Sequence, residues 1–232
     1  MEFTVIELKD ISDNQHIKDV LEQYDELCQY QGLVKSSKRK GLFGATKWQE
    51  IEDTVPKLNP MALDRLLPDK NKLYDTTERL LIVCTEGEAI CGFIGGVVDV
   101  TSIMHSSIAD GLSSYDSSKY NDIYSSFEGA EETNIPMSWI EILCVSPKNR
   151  SRGIGKMLIE YYQEEIKNRH LMAQPDVPYG LIGLDIVGTE SGGINISLKK
   201  YYEDQGFDFS SESNMQARMF HGAQFAVLPS SY

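Results

Sequence analysis

Between residues 139 and 156 the chain sets residue types suited to holding an anion beside residue types able to move a proton. Trp139-Ile140-Glu141-Ile142-Leu143-Cys144-Val145 reads as a strand, and Ser146-Pro147-Lys148-Asn149 as a connector. Arg150-Ser151-Arg152-Gly153-Ile154-Gly155-Lys156 then reads as a glycine-containing entry into a helix, because Ile154, Met157, Leu158, Tyr161 and Ile166 recur with helical period. Such a loop gathers backbone N–H groups at a helix N-terminus, where the macrodipole favours an anion by about 0.3–1 kcal/mol. Glycines there leave room for a phosphate to approach the backbone, so a diphosphate fits the segment.

Three phosphate-binding patterns compete for this loop, and spacing separates them. A P-loop needs glycine where Arg150 stands and Ser or Thr where Met157 stands, which excludes it. The dinucleotide fingerprint needs a third glycine where Leu158 stands, and no ribose-binding acid closes a following strand. What remains is R-x-x-G-x-G on a strand-to-helix turn. Downstream, Asn195-Ile196-Ser197-Leu198-Lys199-Lys200-Tyr201-Tyr202-Glu203-Asp204-Gln205-Gly206-Phe207 forms a second pattern, N-x-x-x-x-x-Y-Y-x-x-x-G-F. With both in this order, and the strand Leu181–Val187 between them, the sequence resembles the GNAT superfamily of acetyl-CoA-dependent N-acetyltransferases over roughly residues 78–222. Leu198 stands where that family usually has alanine, and residues 188–194 lengthen the connection before Asn195.

The resemblance implies a role for each matched residue. Leu143, Cys144 and Val145 would offer backbone N–H groups to the pantetheine arm of acetyl-CoA, where the strand splays from its neighbour. Arg150, Ser151, Arg152, Gly153, Ile154, Gly155 and Lys156 would hold its diphosphate, with Asn195 a further cofactor contact. Tyr202 is the candidate general acid: a phenol near pKa 10 can protonate a departing thiolate near 8.5 at small cost. Tyr201, about 100 degrees away around the helix, is expected in the core. Glu141, on the strand face of Leu143 and Val145, is the candidate base that relieves the substrate ammonium of its proton. Asp185 is the alternative base. Against these stand plainer readings: a helix tyrosine packed under the strands, and a strand glutamate that attracts a cation or faces solvent.

The positioning elements read as follows. Residues 3–8 alternate as a strand, and a capping box at Ser12 and Gln15 precedes a helical pattern from Ile17 to Cys28. Residues 35–40 are basic and polar, and Trp48, Ile51, Leu63, Leu66 and Leu67 suggest short helices, giving a helical N-terminal part over 12–75. Residues 79–85 and 89–99 form an antiparallel hairpin around Glu86-Gly87-Glu88. Residues 101–137, rich in Ser, Tyr and acid, read as an acidic insertion between the third and fourth strands, either a substrate wall or a surface excursion. The 138–187 strand-helix-strand is a parallel crossover, and a strand pair from Phe207 to Val227 closes the pattern. The expected fold is a single α/β domain over 1–232, with a GNAT-like mixed, mostly antiparallel central sheet flanked by helices.

Composition bounds the function. A chain of 232 residues, 41% hydrophobic, can bury one sizeable core. A net charge of −13 argues against nucleic acid and favours a cationic substrate. No apolar run is long enough to span a membrane and no secretory leader is evident, so no membrane partner and a cytoplasmic location are expected. Cys28, Cys84, Cys91 and Cys144 show no paired spacing and are read as reduced core thiols, and the four histidines suggest no metal. The expected activity is transfer of an acetyl group from acetyl-CoA to a primary amine, whether a polyamine-like cation or a protein lysine or N-terminus, with a homodimer open. The other readings are transfer of a longer acyl group, and a non-catalytic module that binds acetyl-CoA or a partner protein on the same fold.

Overall fold

The two apolar runs either side of Gly87 fold back on one another as β4 (Glu78–Glu86) and β5 (Ala89–Val98), an antiparallel pair turning at Gly87 with φ +62°. This computed structural model describes residues 1–8, 19–20, 23, 33–40, 47–54, 78–98, 137–173, 179–186, 194–209 and 224–231. β1 (Glu2–Glu7) pairs antiparallel with β4, and β6 (Met137–Val145) antiparallel with β5. The helix α1 (Ile154–Ala173) then crosses over to β7 (Tyr179–Ile186), which runs parallel to β6. β8 (Ile194–Asn195) leads into α2 (Ile196–Glu203), and β9 (Asp208–Phe209) and β10 (Gln224–Ser231) complete the set. The large sheet has seven strands in the order β1-β4-β5-β6-β7-β10-β9, mixed and mostly antiparallel, as the sequence pattern implied.

Alternation along β4 separates two cores. Leu80, Ile82 and Cys84 pack with Ile154, Leu158, Ile159, Tyr162 and Ile166 of α1 and Tyr202 of α2. Leu81 and Val83 face the other way, toward Ile6, Val20, Phe93, Ile142 and Cys144. Each fully buried aliphatic side chain contributes roughly 1.5–3 kcal/mol, and a one-residue slip would exchange the faces, so the register is strongly fixed. Arg169, late in α1, bonds Glu165 (2.8 Å), Glu7 (3.5 Å) and Glu78, tying the helix to β1 and β4.

Residues 33–54 depart from expectation. Leu33–Lys40 (β2) and Lys47–Thr54 (β3) are antiparallel strands, and β2 also pairs with β8 in a separate three-stranded sheet, β3-β2-β8. Trp48 and Ile51 therefore lie on a strand. Their i, i+3 spacing fits one helix face, but pairing with β2 satisfies the backbone of this polar segment instead. Leu63, Leu66, Leu67, nearly all of the 101–137 insertion, and most of the 12–28 helical pattern lie outside the described residues. Cys84 and Cys91 are free and buried, whereas Cys144 is disulfide-bonded, which corrects the expectation of four reduced thiols. No helix among the described residues is long and apolar enough to cross a membrane.

Candidate cofactor and active site

β6 and β7 part company halfway along. Their parallel register runs from Met137↔Leu181 to Ile140↔Leu184 and stops there, while β6 stays paired with β5 through Val145↔Gly92. At the same point the β5 register skips from Gly96↔Ile140 to Gly95↔Ile142, so Glu141 is the extra residue of a β-bulge. Gly96 lies under this irregularity, with the Trp139 carbonyl and the Tyr162 hydroxyl directly over its Cα. Tyr162 donates to the Trp139 carbonyl at 3.3 Å, and burial, with the nearby Glu141 charge, pushes its phenol pKa upward.

The direction of the β6 amides follows from one bond. Ser146 N–H donates to the Cys91 carbonyl at 2.9 Å, so 146, 144 and 142 are the positions whose backbone groups face β5. Leu143 and Val145 face the other way, beyond the last described β6–β7 pair at Ile140↔Leu184. The Val145 carbonyl, on that side, accepts from Arg150 Nε at 3.2 Å. The register leaves the N–H groups of two of the three expected backbone donors, Leu143 and Val145, turned away from β5. It turns Cys144 N–H toward β5, and the Cys144 side chain lies in the opposite core.

The following loop is shaped by its own polar residues. Asn149 Nδ2 donates to Ser146 Oγ at 2.8 Å, and Ser151 and Gly153 take φ +63° and +79°, the left-handed region. Met157 N–H donates to the Gly153 carbonyl at 3.0 Å, closing the first turn of α1 and leaving the N–H groups of Ile154, Gly155 and Lys156 without an acceptor within the helix. This is the anion-seeking end read from the sequence. Two expected phosphate ligands have other partners. Arg152 grips both carboxylate oxygens of Glu86 at 3.1 Å and donates to Asn149 Oδ1 at 2.5 Å. That pairing lowers the Glu86 pKa and raises that of Arg152. Lys156 lies 3.7 Å from Glu160 on the exposed helix face.

α2 brings one residue of the second pattern, Tyr201, against the first turn of α1. Asn195, 4% exposed, caps the helix by accepting from Leu198 N–H at 3.1 Å, so its side-chain oxygen is occupied in holding α2. Tyr202 is 7% exposed and packs edge-on against Phe207 (5.5 Å) and Tyr201 (5.2 Å), and burial raises its pKa. Tyr201, expected in the core, is only partly buried: its hydroxyl extends to the first turn of α1, and burial pushes its pKa up to about 12. Neither phenol oxygen has a hydrogen-bond partner among the described residues. Glu141 is half-buried, and its charge reaches Tyr162 of α1.

The end of β6 at Val145, the first turn of α1 at Gly155 and the Tyr201 hydroxyl of α2 thus meet, while Asn195 lies at the opposite end of α2, beside β2. Sequence reasoning missed the reach of Tyr201, although the angular offset between adjacent helix residues already required one tyrosine to leave the direction of the other.

No protein-family model and no curated protein matches this sequence. Solved structures do resemble it. One is a protein assigned as a streptothricin acetyltransferase from Bacillus anthracis str. Ames in complex with acetyl coenzyme A, at 14% identity over 100% of this chain and 98% of that one, TM-score 0.48. Another is the ribosomal-protein-S18-alanine N-acetyltransferase from Escherichia coli, at 11% identity over 100% and 96%, TM-score 0.46. A third is an acetyltransferase assigned to the GNAT family from Desulfovibrio desulfuricans, at 12% identity over 66% and 69%, TM-score 0.39. In each case the chain is similar to an acetyltransferase.

Proposed function

We propose that this chain is a GNAT-type N-acetyltransferase that moves the acetyl group of acetyl-CoA to a primary amine. The observation that carries the reading is the end of the described β6–β7 pairing at Ile140↔Leu184, with the Leu143 and Val145 amides turned away from β5 and the α1 N-terminus following β6 through a short loop. An extended amide-bearing arm can pair with those strand amides as a further strand would, while its diphosphate meets the first-turn N–H groups of Ile154, Gly155 and Lys156.

The residues then divide the chemistry. The amine lone pair attacks the thioester carbon, the carbon–nitrogen bond forms, and the carbon–sulfur bond breaks. Val145 N–H faces the carbonyl oxygen as charge develops on it, where one such donor is worth about 3 kcal/mol. Glu141, directly or through a water, takes the ammonium proton, and the Tyr202 phenol gives its proton to the thiolate and recovers one from solvent. A cationic, polyamine-like acceptor fits the net charge of −13 best. Acetyl-CoA is an intracellular metabolite, which supports a cytoplasmic location.

Titration calorimetry with acetyl-CoA, followed by an amine panel read through free-thiol release, tests this. Binding with amine-dependent thiol release is expected. Binding without release from any amine would leave a non-catalytic module, and no binding would remove the reading.

A further inference from the structure

The Tyr201 hydroxyl occupies the space that a side chain at position 155 would fill. A Cβ added to Gly155 would lie 2.5 Å from Tyr201 Oη, 3.5 Å from its Cζ and 3.6 Å from Val145 Cγ2. The hydroxyl therefore lies against the first turn of α1, whose N–H groups at Ile154, Gly155 and Lys156 have no acceptor within the helix. It has no hydrogen-bond partner among the described residues, and its ring is held edge-on by Tyr202. By contrast, a Cβ at Gly153 would meet nothing within 4 Å. The two glycines therefore serve different ends: Gly153 supplies a left-handed backbone, whereas Gly155 leaves room for another residue of this chain.

We infer that Tyr201 is a binding residue for the diphosphate of the CoA substrate, its hydroxyl donating to a phosphate oxygen beside the α1 amides, and that residue 155 is glycine in order to admit that hydroxyl. The inference rests on the acetyltransferase reading above. It gives the adjacent tyrosines separate tasks, with Tyr202 directed at the thiol and Tyr201 at the phosphates. A hydrogen bond from a neutral donor to a charged acceptor is among the stronger ones, so its loss is expected to weaken binding about tenfold or more.

The test compares wild type, Tyr201→Phe, Gly155→Ala and the double variant by CoA titration, steady-state kinetics and thermal unfolding. Tyr201→Phe is expected to raise the Kd for CoA and the KM for acetyl-CoA by about tenfold or more, with the loss absent from kcat at saturation. With S-acetylpantetheine, which lacks the diphosphate, the same variant should match wild type in kcat/KM. Gly155→Ala displaces the hydroxyl, so its binding loss should not add to that of Tyr201→Phe, and the phenylalanine should restore part of its lost thermal stability. Wild-type binding that is unchanged in Tyr201→Phe would overturn this inference alone. So would additive losses, or a defect in kcat with Kd intact. Failure of wild type to bind CoA would remove the acetyltransferase reading together with it.

Discussion

At Tyr202 the surroundings impose opposing demands. Packing against Phe207 and Tyr201 fixes the ring, which a positioned proton donor needs, but the same burial raises the phenol pKa further above that of a thiol and makes the transfer costlier. Tyr202→Phe keeps the packing and removes the proton, so kcat should fall by about 10²-fold or more while the thermal midpoint barely moves; thiol-release kinetics and a melt check both. Tyr201 gives a pH signature. Its pKa rises from 10.0 to about 12 in the fold, so below pH 10 its contribution to stability is complete. Between 10 and 12 the unfolded chain has lost a proton that the fold retains, and stability falls as pH rises. Denaturant titrations across that window should show a shallower decline in Tyr201→Phe than in wild type. Glu86 competes with any phosphate for Arg152, so Glu86→Gln should tighten CoA binding, most visibly at low salt in calorimetry. The resemblance implied one shared site for Arg150, Gly153, Gly155, Asn195 and Tyr202, whereas the contact the fold makes between the two patterns runs through Tyr201 and Gly155. The commitments of Arg152 to Glu86 and of Asn195 to the α2 cap were not legible in the sequence, because each depends on a partner that only the fold or the local backbone geometry supplies.

At the scale of elements, the bulge at Glu141 and the parting of β6 from β7 are one event. The extra residue bends β6 where its pairing with β7 ends, and Gly96 makes the bend fit by letting the Trp139 carbonyl lie against the neighbouring strand. Gly96→Ala would push a methyl group into backbone, so a loss of about 1–3 kcal/mol or more is expected in denaturant unfolding. Gly153→Ala differs, since its Cβ meets nothing; only the left-handed φ of +79° is at stake, for about 1–2 kcal/mol. The β4–β5 hairpin and the β6–α1–β7 crossover were readable because apolar periodicity changes from two to helical at glycine-marked turns. The bulge was hidden, as an inserted residue leaves a strand-like sequence strand-like. β2 and β3 were hidden for another reason: Lys35, Glu50 and Glu52 are exposed, so no apolar stripe marks the strands, and pairing with β8 from far along the chain decides the outcome.

For the molecule as a whole, the excess of 35 acidic over 22 basic residues creates a field that draws cations and repels a diphosphate, leaving the latter to local amides. Ionic strength should therefore act on the two substrates in opposite senses. Added salt is expected to raise the KM of a polyamine acceptor and to leave unchanged or lower that of acetyl-CoA, which initial-rate measurements at varied salt would show. The order of the strands in space has a further consequence, for synthesis. β10 lies between β7 and β9 and pairs with β7 along its length, from Tyr179↔Ser231 to Ile186↔Gln224. As the chain leaves the ribosome, β7 can dock on β6 well before its other neighbour exists, and until β10 is made it presents a bare edge rich in Leu and Ile. A nascent chain stalled in that interval carries a template for pairing with other chains, and the last described strand is the one that retires it.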